Sequence, residues 1–370
     1  MSLIYNATFD KNTRKLSFED RAGNEIYSFT VPEREKDDIT KPLTFKATQD
    51  GSSVTLTTNG SPVGDFQTST DGGNTWTDYT LKTAITLNTG DEVSFRAKAD
   101  RTSAQTTYVY FRFEMTGKIE AWHNVMSLYR TNDFATYNTV VSYAFRHLFR
   151  DCTSLTKAPV LPATTLAEGC YEKMFDGCTS LTKAPVLPAT TLYRYCYQYM
   201  FSGCTSLAEA PELPATTLGD YCYKSMFSRC TSLTKAPELP ATTLTDYCYH
   251  DMFSVCTSLT KAPELPATTL AYACYQYMFN GCTSLTKAPE LPATTLTDHC
   301  YQSMFYGCSN LKEVRISATT RASYALDDWL SGVSATGDFY CAPNATIFPS
   351  GVSGIPANWT RHALADYPTT

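Results

Sequence analysis

The sequence predicts a mainly β chain with short helices: a solenoid of 26-residue period, preceded by a small antiparallel β-sandwich and followed by a β-rich C-terminal cap. Three observations predict it. Cysteine recurs every 26 residues in two columns; a TKAPELPATTL segment returns almost unchanged; and short alternating runs separated by turn residues fill positions 40 to 115.

Residues 1–36 form the first expected module. The alternating stretches LIYNATF and KLSFEDRAGNEIYSFTV, joined around Asn12 and turned at Gly23-Asn24, read as a β meander. So few strands hold no core alone, so a partner or symmetry mates are expected to stabilise them, as a homo-oligomer or by docking to a larger particle. The charged run PEREKDD at 32–38 then reads as an exposed linker. Residues 37–116 are expected to form the sandwich from LTFKAT, SSVTLTTN, FQTST, TWTDYT, AITL, EVSFRAKA and TYVYFRFEM, with turns at Asn59-Gly60 and Asp71-Gly72-Gly73.

Residues 117–317 carry the repeats, opening with a degenerate copy, VVSYAFRHLFRDC, in which Ala144 stands where later units have Cys. A full unit reads LTDYCYHDMFSVCTSLTKAPELPATT from Leu244. Its Leu244, Cys248, Met252 and Cys256 fall at i, i+4, i+8 and i+12, which predicts a helix of about three turns with one apolar face. Pro263 and Pro266 lack amide donors, so the following strand is expected to be short, from about Leu259 to Ala262. Residues 318–370, rich in Gly, Pro and Trp, are expected to close the array, with Trp329 and Trp359 covering the last coil.

One cysteine column runs Cys152, Cys178, Cys204, Cys230, Cys256, Cys282 and Cys308; the other runs Cys170, Cys196, Cys222, Cys248, Cys274 and Cys300. No CxxC pair occurs, and thiols eight residues apart on a helix would be about 12 Å apart by rise. That exceeds the reach of a disulfide. Two ladders of reduced, buried thiols acting as small apolar fillers are therefore expected.

The segment MFSVCTSLTKAPELP matches the pattern AFxxCxxLxxIxIP at Phe253, Cys256, Leu259 and Ala262, and resembles the BspA-like leucine-rich repeats of bacterial surface antigens. The resemblance covers about residues 140–317, with the helical side lengthened. It implies a leucine-rich-repeat solenoid, adhesion or binding of a host or partner molecule, and no catalysis. Separately, Ser69, Asp71, Gly73, Thr75 and Trp76 fit SxDxGxTW, which resembles the Asp-box of sialidases. That likeness implies a stable hairpin turn away from any sugar site; a carbohydrate-active enzyme is the weaker reading.

A formal charge of −6 offers no basic field for phosphate backbones, so nucleic acid is not an expected partner. No apolar run is long enough to span a membrane, and the polar opening gives no secretion signal. The histidines His123, His147, His250, His299 and His362 share no metal-ligand spacing. Nucleophile elbows, phosphate loops and dinucleotide fingerprints are absent from the sequence, so no enzyme activity, metal or cofactor is expected.

Comparison of the copies locates the candidate surface. The triplets before the first Cys read AEG, YRY, GDY, TDY, AYA and TDH, and the pairs after the following Cys-Tyr read EK, QY, KS, HD, QY and QS, while the strand segment hardly changes. Relaxed constraint would give such drift; so would selection for a partner. The varying positions hold Tyr193, Tyr195, Tyr199, Tyr221, Tyr247, Tyr272 and Tyr277, and tyrosine suits rigid, amphipathic contact. On the strand side, rows of Lys235, Lys261 and Lys287 and of Glu238, Glu264 and Glu290 are expected to neutralise each other as a solvated face. The expected function is a non-catalytic adhesin or receptor-binding protein. The first reading is a virion-associated phage fibre recognising a host-surface glycan or protein; the alternative is a bacterial cell-surface adhesin.

Overall fold

The computed structural model describes residues 6–10, 15–19, 25–30, 37–60, 65–101 and 109–367. The chain divides into two compact units, 1–37 and 38–370. In the first, β1 (Asn6–Asp10), β2 (Lys15–Glu19) and β3 (Glu25–Thr30) pair antiparallel in that order. The turns expected at Asn12 and Gly23-Asn24 lie outside the described residues.

The second unit begins with the seven runs read from the sequence. They form β4 (Leu43–Ala47), β5 (Ser52–Thr58), β6 (Phe66–Ser69), β7 (Thr77–Tyr79), β8 (Ile85–Leu87), β9 (Glu92–Ala97) and β10 (Phe111–Thr116). Alternation sets their faces: in β5, Ser52, Val54 and Leu56 are buried while Ser53 and Thr55 are half-exposed. One sheet has the order β10-β5-β8. A second has the order β12-β11-β4-β9-β6-β7, where β11 is Ile119–Trp122 and β12 is Leu155–Lys157. Because β11 pairs antiparallel with β4 and parallel with β12, the first repeat joins the same sheet. The Asp-box segment turns the β6–β7 hairpin. Asp71 accepts from the amides of Asn74 and Thr75 and the hydroxyls of Ser69 and Thr75, which holds its carboxyl well below the usual range.

In the repeats the expected helix is absent. Residues 169–178 instead form overlapping β-turns, in which even-numbered amides bond three residues back (Cys170 to Ala167, Met174 to Tyr171, Cys178 to Phe175). Odd-numbered amides bond to carbonyls of the next repeat (Tyr171 to Cys196, Phe175 to Met200, Gly177 to Ser202). Every amide in the segment is thereby satisfied without a helix. Every fourth residue has φ > 0, as at Gly169, Lys173 and Gly177, which is the requirement at the third position of a type II turn.

Two physical facts exclude the helix. The apolar pattern, two residues in and two out (Cys170-Tyr171, Met174-Phe175), has a period of 4, whereas a helix of 3.6 residues per turn would rotate such a stripe off the core within three turns. Spacing is the second. Ring centroids of Phe149–Phe175 and Tyr171–Tyr197 are 5.4 and 5.9 Å apart, and a helix is roughly 10 Å wide. The strand side is also thinner than expected: between Leu259 and Ala262 only the single bridge Lys235↔Lys261 forms, because the prolines interrupt the ladder. Among the described residues the chain is accordingly mainly β, with almost no helix beyond single 3-10 turns at Val125–Leu128 and Leu364–Asp366.

Both ends of the array are covered by residues that continue its columns. Phe113 of β10 stacks on Phe149 at 5.6 Å, and its carbonyl accepts from Cys152 Sγ at 3.1 Å, as Phe149 does from Cys178 at 3.0 Å. At the far end, φ > 0 recurs at Tyr324, Asp328 and Gly332, and Trp329 takes the Met304 position. There β13 (Thr295–Leu296) pairs with β15 (Thr320–Arg321). The strands β14 (Glu313–Arg315), β16 (Gly337–Cys341) and β17 (Trp359–Ala363) run parallel; Trp329 is buried against Phe339 of β16, and Trp359, the first residue of β17, is buried as well.

The third positive-φ column reads Asp151, Gly177, Gly203, Arg229, Val255, Gly281, Gly307 and Gly332. Valine is the poorest fit there, because a β-branched side chain crowds the backbone at φ 60°. Val255→Gly is expected to raise stability by about 1 kcal/mol, strain relief outweighing the entropy of a new glycine. A lowered midpoint in denaturant unfolding would contradict this.

Candidate partner-binding face

The second residue of each outward pair takes the left-handed conformation, so its side chain lies where the coil turns. In the first of these columns the residues are Tyr143, Gly169, Tyr195, Tyr221, Tyr247, Ala273, His299 and Tyr324. Left-handed backbone costs roughly 1–2 kcal/mol for a residue with a Cβ. Glycine, favoured in the third column, is here replaced by aromatic rings.

Those rings meet across the repeats. Tyr195 and Tyr221 have centroids 5.2 Å apart, and Tyr221 and Tyr247 stack at 4.6 Å and 10°. At Ala273 the ring is missing from the column, and the preceding residue supplies it: Tyr272 packs edge-on between Tyr247 at 5.2 Å and His299 at 5.3 Å. His299 then stacks on Tyr324 at 5.1 Å. Arg194 lies over Tyr195 at 4.6 Å and Lys224 over Tyr221 at 5.6 Å, so cations rest on the row. Partial burial, and secondarily the Tyr272 hydroxyl, pushes the Tyr247 phenol up to about 12.

The predicted tyrosines therefore separate. Tyr195, Tyr221, Tyr247 and Tyr272 belong to one continuous row. Tyr199 and Tyr277 sit in the second left-handed column, Tyr199 under Lys173 at 5.1 Å and Tyr277 edge-on to His250 at 5.7 Å. His250 is held neutral at pH 7, its pKa pushed down to about 4 by burial and by Lys224. Tyr193 stands apart, 54% exposed, its amide donating to Cys196 Sγ at 3.1 Å. Sequence reasoning missed His299 and Tyr324 as members of the row. Their common distance from the first Cys position was the available signal, hidden at Tyr324 by Ala325 in place of cysteine.

Inside the coil a different tyrosine column, Tyr171, Tyr197, Tyr223, Tyr249, Tyr275 and Tyr301, is fully buried and stacked. All fourteen cysteines are free thiols and buried. In the column from Cys178 to Cys282 each Sγ donates to the Phe carbonyl of the preceding repeat: Cys178 and Cys204 to Phe149 and Phe175 at 3.0 and 3.2 Å, and Cys230, Cys256 and Cys282 likewise at 3.1 Å. In the other, Cys196 donates to Ala167 at 3.3 Å; Cys222, Cys248 and Cys274 are fully buried between repeats.

On the strand side, the last repeat carries two ion pairs, Lys287 to Glu313 at 2.9 Å and Arg315 to Glu290 at 3.1 Å. Among the described residues, no group of three or more His, Cys, Asp or Glu side chains is placed to hold a metal ion, and no helix is long and apolar enough to cross a membrane. A family model described as BspA type leucine-rich repeat region matches residues 136–260 and 216–327 in six copies, together just over half of the chain. No curated protein and no solved structure matches it.

Proposed function

Because the chain belongs to the BspA-type leucine-rich-repeat family, we propose that it is a non-catalytic recognition protein of the surface-adhesin kind, in which a solenoid presents the outer aromatic row to a partner. The sheets of residues 43–122 act as a sandwich capping the array, and residues 1–36 attach it to a virion. The observation that carries this reading is the ring row from Tyr195 to Tyr324, in which Tyr195, Tyr221, Tyr247, His299 and Tyr324 stand on left-handed backbone and Tyr272 fills the gap left at Ala273. Drift alone favours glycine at such positions, and the row keeps aromatic side chains there at a cost.

Partner chemistry follows from the ring geometry. Within the row the faces lie against one another, and what reaches solvent is edges, hydroxyls and the cations of Arg194 and Lys224. A host-surface protein that packs flat and accepts those hydrogen bonds fits better than a sugar ring that needs an open aromatic face. His250, neutral down to about pH 5, brings no charge change to the face between pH 5 and 8.

Binding of the full chain to host-surface protein and to host polysaccharide, compared before and after Tyr221→Ala with Tyr247→Ala, tests the reading. Loss of two central aromatic anchors is expected to weaken protein binding by roughly 30-fold or more, as for hot-spot residues of about 2 kcal/mol. Undiminished binding moves the site off this row. Immunolabelling of phage particles against bacterial cells separates virion attachment from the alternative, an adhesin on a bacterial envelope.

A further inference from the structure

Two like-charged rows run along the strand side of the array. Lys235, Lys261 and Lys287 stand in one; Glu238, Glu264 and Glu290, three residues further along each repeat, stand in the other, and all six residues are exposed. The single bridge Lys235↔Lys261 holds two lysines side by side, which is unfavourable for the row by itself. At the last repeat the chain relieves this internally, Lys287 on Glu313 at 2.9 Å and Glu290 on Arg315 at 3.1 Å. Among the described residues no ion pair satisfies Lys235, Lys261, Glu238 or Glu264, and the lysine and glutamate of one repeat do not pair with each other.

The pattern restricts what this face can receive. A polyanion drawn to the lysines meets the glutamate row beside them, and a polycation meets the reverse. Pro237 and Pro263, between the rows, present no amide donors, so an added strand finds no ladder. The fitting partner carries both rows in the opposite order. A second copy of the chain does so under one symmetry: a two-fold axis in the plane of the face, parallel to the array and midway between the rows, sets lysine of one copy on glutamate of the other. A two-fold axis running across the array sets lysine on lysine instead. We propose that this face joins two copies of the chain side by side and parallel, Lys235 against Glu238 of the partner subunit and Lys261 against Glu264 of the partner subunit, each pair occurring twice. In the preceding repeat both rows are acidic, at Glu209 and Glu212, so the complementary stretch ends there. Exposed pairs are individually small and screened, which makes the dimer weak and salt-sensitive. None of these residues belongs to the outer aromatic row, and the dimer does not rest on that row's function.

Sedimentation velocity of the full chain at low and high salt, with carbodiimide cross-linking of mixed isotopically labelled and unlabelled chains, tests it. The expected dimer dissociates as salt approaches about 1 M, where the screening length is about 3 Å. Cross-links between differently labelled chains are expected to join Lys235 to Glu238 and Lys261 to Glu264. Lys235→Glu with Lys261→Glu is expected to weaken association by roughly tenfold or more and to remove those cross-links. Adding Glu238→Lys and Glu264→Lys to that variant exchanges the rows, and the exchanged chain is expected to cross-link through this face with itself but not with the wild-type chain. Neither misfolding nor association through residues 1–36 imitates that selectivity. A chain that stays monomeric at low salt overturns the proposal. So do oligomers without inter-chain cross-links at these residues, and so does a row-exchanged chain that cross-links here to wild type as readily as to itself.

Discussion

Truncating Phe227 to alanine is expected to cost about 3–5 kcal/mol of unfolding free energy, the range for a large aromatic removed from a core that cannot relax. The ring is fully buried and lies between Phe201 and Phe253, each 5.7 Å away and within 6° of parallel. Backbone bonds clamp the same level from both sides, Phe201 N to Met226 O and Phe227 N to Met252 O, each 2.9 Å, so neighbouring repeats cannot close on the cavity. Because each repeat contacts mainly its neighbours, the lesion weakens one interface in a linear array, and the halves on either side are expected to unfold at different denaturant concentrations. Urea unfolding followed by circular dichroism and by tyrosine fluorescence checks this: wild-type probes should coincide, and those of the variant should part. A loss below 1 kcal/mol with coincident transitions would mean that the column is not the core of the array.

Much of this was legible in the sequence because stacked repeats write their geometry as a column. Cys178 above Cys204 above Cys230 follows from the 26-residue period alone, and the strands before the array were legible from alternation, as in β5 from Ser52 to Leu56. The local conformation was not legible from the same pattern. Leu244, Cys248, Met252 and Cys256 satisfy a helical stripe when taken four at a time. Only the adjacent partners Tyr249 and Phe253, giving two inward then two outward, distinguish a strict period of 4 from one of 3.6. Single-residue propensity also misled. Tyrosine at positions 195, 199, 221, 247 and 277 occupies φ values of 55–61° that tertiary bonds impose and no propensity forecasts.

The candidate site was partly readable for a related reason. Tyrosines at variable positions could be found by comparing copies, but which of them share a row depends on the two-residue turn register, and so Tyr193 fell away while His299 and Tyr324 entered. On the strand side, like charges lie in columns along the array. Lys235 and Glu238 belong to one strand segment, whereas the pairs that form join different repeats, as Lys287 and Glu313 do.

Raising the pH above 9 is expected to collapse the fold within about one pH unit. In an unfolded chain a thiol ionises near pH 8.5. Burial pushes Cys248, Cys300 and Cys308 up to about 12, and raises Cys152, Cys170, Cys178, Cys204, Cys222, Cys230, Cys256, Cys274 and Cys282 as well. A group whose folded pKa is raised stabilises the fold fully below its unfolded pKa and withdraws that support as pH climbs toward the folded value. Each such thiol therefore removes about 1.4 kcal/mol per pH unit once the unfolded state ionises. Twelve acting together give a slope of about 16 kcal/mol per pH unit, comparable with the whole stability of a typical domain, roughly 5–15 kcal/mol. From about pH 10 the buried tyrosines, also raised by burial, steepen the fall. Circular dichroism between pH 7 and 11 under reductant, with thiol alkylation as a second readout, should show one sharp loss of structure accompanied by simultaneous labelling. Replacing two cysteines of one column, Cys204→Ala and Cys230→Ala, should shift that loss upward in pH or shallow its slope even though the packing is weakened. Native ellipticity persisting at pH 10.5 with thiols unlabelled would mean that thiol ionisation does not govern the array's stability.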